Sequence, residues 1–149
     1  MSDERSYPSQ PFVGVGAVVW KDNEVLLIQR GKEPSYGEWS LPAGTQELGE
    51  TVIDTLHREV LEETGCHIGE LKLLGIFDEI VPDETGKVRY HYTIIDYDAV
   101  WIEGTPKPGL EELDAKFYTL NQLSALQIWE KTLNAIHLSA ERRGIISPT

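Results

Sequence analysis

The stretch that most constrains this chain runs from Gly44 to Cys66, GTQELGETVIDTLHREVLEETGC. Five residues separate Gly44 from Glu50, and seven separate Glu50 from Arg58-Glu59. Val60, the pair Glu62-Glu63 and Gly65 follow. The run from Val52 to Thr64 holds no Gly or Pro, and Gly65 supplies a stop, so the spacing predicts a helix over 52–64. At roughly 100° per residue, Glu59, Glu62 and Glu63 share about a third of the helix circumference. Ile53, Leu56 and Val60 form a neighbouring apolar stripe fit to dock on a sheet. Three carboxylates then project from the edge of the buried face.

Like charges that close raise one another's pKa values unless a cation neutralises them. An all-oxygen set with no Cys or His cluster beside it suits Mg²⁺ or Mn²⁺ better than Zn²⁺. Arg58 stands four residues before Glu62 and is placed to pair with it along the helix. Taken by itself, a run of glutamates is the ordinary solvated face of a helix.

The full spacing goes further, because it resembles the Nudix box, the signature of the Nudix hydrolases (MutT-like proteins). Gly44, Glu50, Arg58, Glu59, Val60, Glu62, Glu63 and Gly65 fill every fixed position of that signature. Cys66 takes the last place, where an aliphatic residue is more usual; a buried Cys behaves as a small hydrophobe. The lead-in Trp39-Ser40-Leu41-Pro42-Ala43 is also similar to the family's, with Ala43 where Gly is more frequent.

The resemblance implies an α/β protein with the Nudix fold, a mixed β-sheet sandwiched between α-helices in an α/β/α sandwich. It implies hydrolysis of a nucleoside diphosphate linked to a further group X, with Mg²⁺ as cofactor and Mn²⁺ as a substitute. Glu59 and Glu63 become the principal metal ligands, Glu62 helps with a second ion, and Gly44 offers its backbone carbonyl. Arg58 orients the glutamates, and Glu50 is structural or acts from outside the ligand set. A glutamate before the last strand assists many members, and Glu111, Glu112 and Asp114 lie in about that place. The candidate catalytic residues are thus Arg58, Glu59, Glu62 and Glu112, with the general base left open between Glu59 and the 111–112 loop. Arg30 and Trp39 are the candidate substrate-binding residues; Trp39 either stacks on a nucleobase or packs in the core.

The segments VGVGAVVWKDNEVLLIQRG and WSLPAG are similar to the ADP-ribose pyrophosphatase-like branch, which implies ADP-ribose or a similar nucleotide as substrate. The alternatives are a house-cleaning pyrophosphohydrolase acting on nucleoside triphosphates, and enzymes of nucleotide sugars or dinucleoside polyphosphates. The SQPWPFP-like run that marks NADH pyrophosphatases is absent. A non-catalytic nucleotide sensor of this fold would carry a DNA-binding extension. An isopentenyl diphosphate isomerase would need a Cys in its pocket, whereas the single Cys here ends the box. Dimers are common in the ADP-ribose branch, so a homodimer stays open.

Elsewhere the chain supports this frame. Its 149 residues, 40% hydrophobic, suit one domain over 12–145 behind a flexible tail at 1–11. A net charge of −12 argues against a nucleic-acid partner. No apolar run is long enough to span a membrane, and the first residues lack the pattern of a signal peptide, so a cytoplasmic protein with a small-molecule nucleotide substrate is expected. Strands are expected over 12–20 and 24–30 as a hairpin, then 71–81, 88–102 and 115–120. Gly14 and Gly16 mark either a close ligand approach or tight strand packing. Asn121 is placed to cap a short helix through Leu126. A last helix is expected over 129–143, with Trp129, Leu133, Ile136 and Ala140 on its apolar face, and frayed residues beyond it. His91 is assigned no role.

Overall fold

The computed structural model describes residues 5–33 and 35–145. The elements in order are β1 (Phe12–Lys21), β2 (Glu24–Arg30), β3 (Trp39–Ser40), β4 (Ala43–Thr45), α1 (Val52–Thr64), β5 (His67–Pro82), β6 (Val88–Glu103), β7 (Glu112–Thr119), a 3₁₀ turn (Leu120–Ala125) and α2 (Glu130–Arg142). The main sheet runs β3-β2-β1-β6-β5, with β4 on β1 and β7 on β2. β1 and β6 are parallel, while β2, β4, β5 and β7 join antiparallel, so the sheet is mixed.

Alternation along β1 sorts its side chains onto two faces. Val15, Ala17 and Val19 pack with Leu26, Leu56, Val60, Cys66 and Ile68, the α1 side. Val18 and Trp20 pack with Val25, Leu27, Trp39, Leu74, Ile136 and Ala140, the α2 side. One helix therefore covers each face, as an α/β/α sandwich requires. On the α2 side, the Trp20 indole N–H donates to Ser139 Oγ at 2.8 Å, which leaves that buried donor satisfied.

Helix α1 keeps the predicted bounds. Thr51 Oγ1 accepts from Asp54 N at 3.0 Å and Asp54 Oδ2 accepts from Thr51 N at 3.1 Å, a reciprocal cap. Gly65 ends the helix at φ 73°, a conformation that costs a side-chain-bearing residue. The apolar stripe is shifted from expectation: Leu56 and Val60 are fully buried, but Ile53 is exposed and Thr55 takes the inner position. The Thr55 hydroxyl is held by Glu50, which makes that inward polar residue tolerable.

Other boundaries differ as well. β5 begins at His67 and β6 runs to Glu103, because the two pair along nearly their whole length through several bulges. β7 begins at Glu112 rather than Ala115. The short helix after it is a 3₁₀ turn whose start is closed by Gln122 Oε1 accepting from Thr119 N, not by Asn121. Of the expected flexible tail, residues 1–4 lie outside the described residues. The remainder is anchored: Tyr7 N donates to Arg89 O at 2.7 Å, Tyr7 Oη to Asp83 at 2.9 Å, and Arg5 reaches Thr45. The frayed end expected after α2 lies outside the described residues from 146 onward, and Pro34 of the 31–37 loop is also outside them.

Candidate active site

Three segments meet at one end of α1. The first is β4, which pairs with β1 in the register Gly14–Thr45, Val15–Gly44 and Gly16–Ala43. The second is the outward edge of α1. The third is the segment leading into β7, which is fastened to the end of α1: Lys107 N donates to Thr64 O at 3.0 Å and Gly109 N to Glu63 O at 3.3 Å. These bonds satisfy carbonyls that the helix terminus leaves without partners. They also bring Glu112, whose backbone pairs with Arg30 across a bulge, to the acidic edge of α1.

Gly44 lies directly under Glu59. A Cβ at Gly44 would run into the Glu59 carboxyl group, so only glycine allows this approach. One residue earlier, Ala43 N donates to Glu63 Oε1 at 2.9 Å. Burial pushes the Glu63 carboxyl up to about 9. The Glu112 and Glu59 charges push the same way, against the Ala43 hydrogen bond and Lys32. Burial also raises Glu59, opposed by its hydrogen bond from Arg58. Glu112 is raised by burial and then by Glu111, with Glu59 adding to it and Lys32 and Arg30 opposing. Glu59, Glu63 and Glu112 thus share one field, as like charges gathered at one place must.

Arg58 is the cationic hub beside them. Its Nε donates to Glu50 Oε2 at 2.6 Å and its Nη2 to Glu50 Oε1 at 2.9 Å. Nη2 also reaches Thr45 O at 3.2 Å, and Nη1 engages Glu59. The predicted contact along the helix is present, Nη1 to Glu62 Oε2 at 3.4 Å. The guanidinium holds the Glu50 carboxyl down to about 2 and is itself raised by that partner.

The sequence candidates separate in the structure. Gly44, Glu59, Glu63 and Glu112 come together. Glu62 stands at the rim with its side chain 59% exposed. Glu111 points outward into an ion pair with Lys32 at 2.9 Å. Asp114 accepts from Ala115 N and faces Lys116. Arg30 lies over the Trp129 ring at 5.8 Å, close enough to Glu112 to temper its charge. Trp39 is a correction: its ring is 8% exposed in the α2-side core and meets Tyr118 edge-on at 5.0 Å, so packing, not base stacking, describes it. Cys66 is buried against Gly104 O, away from the acidic edge.

The donor set is two or three carboxylates and a backbone carbonyl, with no sulfur or imidazole, and suits a hard divalent cation. In the observed rotamers, no three acidic, His or Cys side chains among the described residues converge to metal-ligand distance. The reason is visible: Glu59 is turned to Arg58, Glu63 to Ala43 N, and Glu62 to the rim.

Sequence reasoning missed one acidic residue near this edge. Asp96 on β6 is 8% exposed, and burial raises its carboxyl to about 6. Asp96 and Asp98 alternate within a β-branched and aromatic strand with no spacing that ties them to the box, so only the pairing of Gly16 with Asp96 places it near this edge.

Comparison with known proteins agrees with the geometry. The NUDIX domain family matches residues 10–138. The chain is 38% identical over 116 residues to an ADP-ribose pyrophosphatase of Methanocaldococcus jannaschii, covering 78% of this chain and 66% of that one. It is 32% identical over 133 residues to an 8-oxo-dGDP phosphatase of Homo sapiens, covering 89% of this chain and 39% of the relative. The chain thus spans between about two fifths and two thirds of these relatives' lengths. The crystal structure of a MutT NUDIX hydrolase from Burkholderia pseudomallei superposes with a TM-score of 0.76 at 28% identity, covering 87% of this chain and 98% of that one. With the box glutamates gathered over Gly44 on a mixed sheet between two helices, the chain belongs to the Nudix family.

Proposed function

We propose that this protein hydrolyses the pyrophosphate bond of a nucleoside diphosphate linked to a further group, with ADP-ribose or a similar nucleotide as substrate. The observation that carries this reading is the gathering of carboxylates beside the bare backbone of Gly44: Glu59 lies over that glycine, Glu63 is held by Ala43 N, and the Glu112 and Glu59 charges both push the Glu63 carboxyl up. Such a group repels a pyrophosphate unless divalent cations stand between them. Mg²⁺ would supply charge neutralisation and an acidified water. Glu59, Glu63 and the Gly44 carbonyl would hold it, with Glu62 at the rim.

The chain's own groups have defined parts in this reading. Arg58 is a positioning residue that fixes Glu59 by its fork on Glu50. Glu112 is the candidate to receive the proton from the attacking water, since it stands at the acidic edge of α1 without an ion pair to Arg58, and burial raises its carboxyl in the direction that makes it a stronger base. Arg30 sits beside Glu112 and is the candidate for a phosphate contact. A cytoplasmic location fits a nucleotide substrate and one buried thiol. Among the described residues no helix is long and apolar enough to cross a membrane.

The second reading is a nucleotide house-cleaning activity, favoured by the similarity to the human 8-oxo-dGDP phosphatase. A panel of ADP-ribose, NADH, nucleotide sugars, diadenosine polyphosphates, nucleoside triphosphates and 8-oxo-dGDP with Mg²⁺ or Mn²⁺ separates the two. AMP and ribose 5-phosphate from ADP-ribose, with the rest much slower, supports the first reading. Preference for the oxidised guanine nucleotide or a triphosphate supports the second. No metal-dependent turnover by folded protein sinks both.

A further inference from the structure

Two buried aspartates lie two residues apart on the α2-side face of β6, and the fold treats them differently. Asp98 is paired, with Arg143 Nη1 donating to its Oδ1 at 2.9 Å. Asp96 has neither a hydrogen bond nor an ion pair among the described residues, and burial alone acts on its carboxyl. A buried carboxylate left without a partner is destabilising, so its presence calls for a compensating role. Its oxygens are not sealed in: no fully enclosed side-chain oxygen or nitrogen among the described residues lacks a partner. The carboxylate therefore keeps some contact with the surface although the residue is only 8% exposed.

Asp96 is flanked by glycines on both neighbouring strands. Its neighbours in the ladder are Gly16 on β1 and Gly75 on β5. A Cβ at Gly16 would lie 2.7 Å from Asp96 Oδ1 and 3.3 Å from the Ala43 methyl group. A Cβ at Gly75 would lie 2.8 Å from the Phe77 ring, and that ring is 42% exposed. The Asp96 carboxylate thus occupies the space beside Gly16, and the partly exposed Phe77 ring occupies the space over Gly75. A partly exposed aromatic ring beside an unpaired acceptor suits a planar ring that bears N–H donors. Ala43 connects this place to the acidic edge: its methyl group and Asp96 Oδ1 both flank Gly16, and its N–H holds Glu63.

We propose that Asp96 is a specificity-determining residue that accepts hydrogen bonds from the N–H donors of a purine base on the substrate. The proposal rests on the nucleotide-hydrolase reading above. Both purines carry such donors. Guanine presents an adjacent imino and amino pair that matches both carboxylate oxygens, and adenine presents one amino group.

The test is calorimetric binding of GDP, ADP and inorganic pyrophosphate, each with Mg²⁺, to the wild type and to the Asp96→Leu and Asp96→Asn variants. Removing the acceptor from a buried donor should weaken the preferred purine diphosphate by about tenfold or more. Pyrophosphate, which has no base, should bind all three proteins equally. Asp96→Asn, which keeps one acceptor, should penalise GDP more than ADP. Equal purine affinity in wild type and both variants, with pyrophosphate binding intact, overturns the role of Asp96 and leaves the hydrolase reading standing. Failure of the folded wild type to bind pyrophosphate or either nucleotide overturns that reading, and the role of Asp96 with it. Thermal melting of each variant confirms that it is folded.

Discussion

Arg58 grips Glu50 with two parallel hydrogen bonds, Nε to Oε2 at 2.6 Å and Nη2 to Oε1 at 2.9 Å. The pair ties the middle of α1 to the loop that precedes it, and it leaves Nη1 free to hold Glu59. A guanidinium fork can make all these contacts at once, which an ammonium group cannot. In the proposed function Glu50 would thus support a metal ligand, Glu59, through Arg58.

Loss of that support should act on turnover more than on folding. Glu50→Gln or Arg58→Lys should lower kcat/KM by about 10- to 100-fold, the usual cost of removing a partner that orients a metal ligand. The circular dichroism spectrum should be unchanged. A variant with wild-type kinetics would falsify the hub role of Arg58.

Gly44 makes a sharper separation of site from fold. A Cβ there meets only the end of the Glu59 side chain, which can turn aside without disturbing the backbone. Gly44→Ala should melt within a few degrees of wild type yet lose at least about tenfold in kcat, since displacement of a reacting group by about 1 Å is that costly. A large drop in melting temperature would mean that the glycine serves the strand pairing instead.

Metal binding should stabilise the protein through the same residues. Saturating Mg²⁺ at about 100 times its Kd adds about 2.7 kcal/mol to a folded state that alone binds it. Differential scanning calorimetry should show this rise in wild type and its loss in EDTA. Glu63→Gln should abolish most of the rise and cut turnover by at least about 10², the typical cost of a key electrostatic group. An undiminished Mg²⁺ response in Glu63→Gln would remove Glu63 from the ligand set.

How legible this was in the sequence depended on whether a signal lay in spacing. Helix α1 was readable to the residue, because Thr51 and Gly65 mark its ends and the box glutamates fix its phase. Glu112 could not be told from Glu111 or Asp114, since three acids within four residues differ only by strand register and a bulge at Arg30. The anchoring of residues 5–11 depends on Arg89 and Asp83, far along the chain, and left no local trace. For Trp39 the residue type favoured packing over stacking on a base, and its edge-on contact with Tyr118 on β7 agrees with packing. Ile53 misled because a helical stripe read by period cannot show where the sheet stops covering it.

Asp96 gives a prediction of its own about stability and pH. Burial raises its carboxyl from the ordinary 3.8 to about 6, so the folded protein binds the proton more tightly than the unfolded chain does. The stability this contributes is fully present below about 3.8 and is lost as pH rises to about 6. Above that, the wild type carries an ionised, unpaired buried group. Asp96→Asn removes the ionisation while keeping the shape. In urea unfolding, the two proteins should therefore be nearly equal in stability at low pH. They should diverge through the interval between the two pKa values, with the variant more stable by about 2–3 kcal/mol near neutrality. A pH-independent difference between them would mean that Asp96 is not ionised alone in the folded protein, and would point to a partner for its carboxylate.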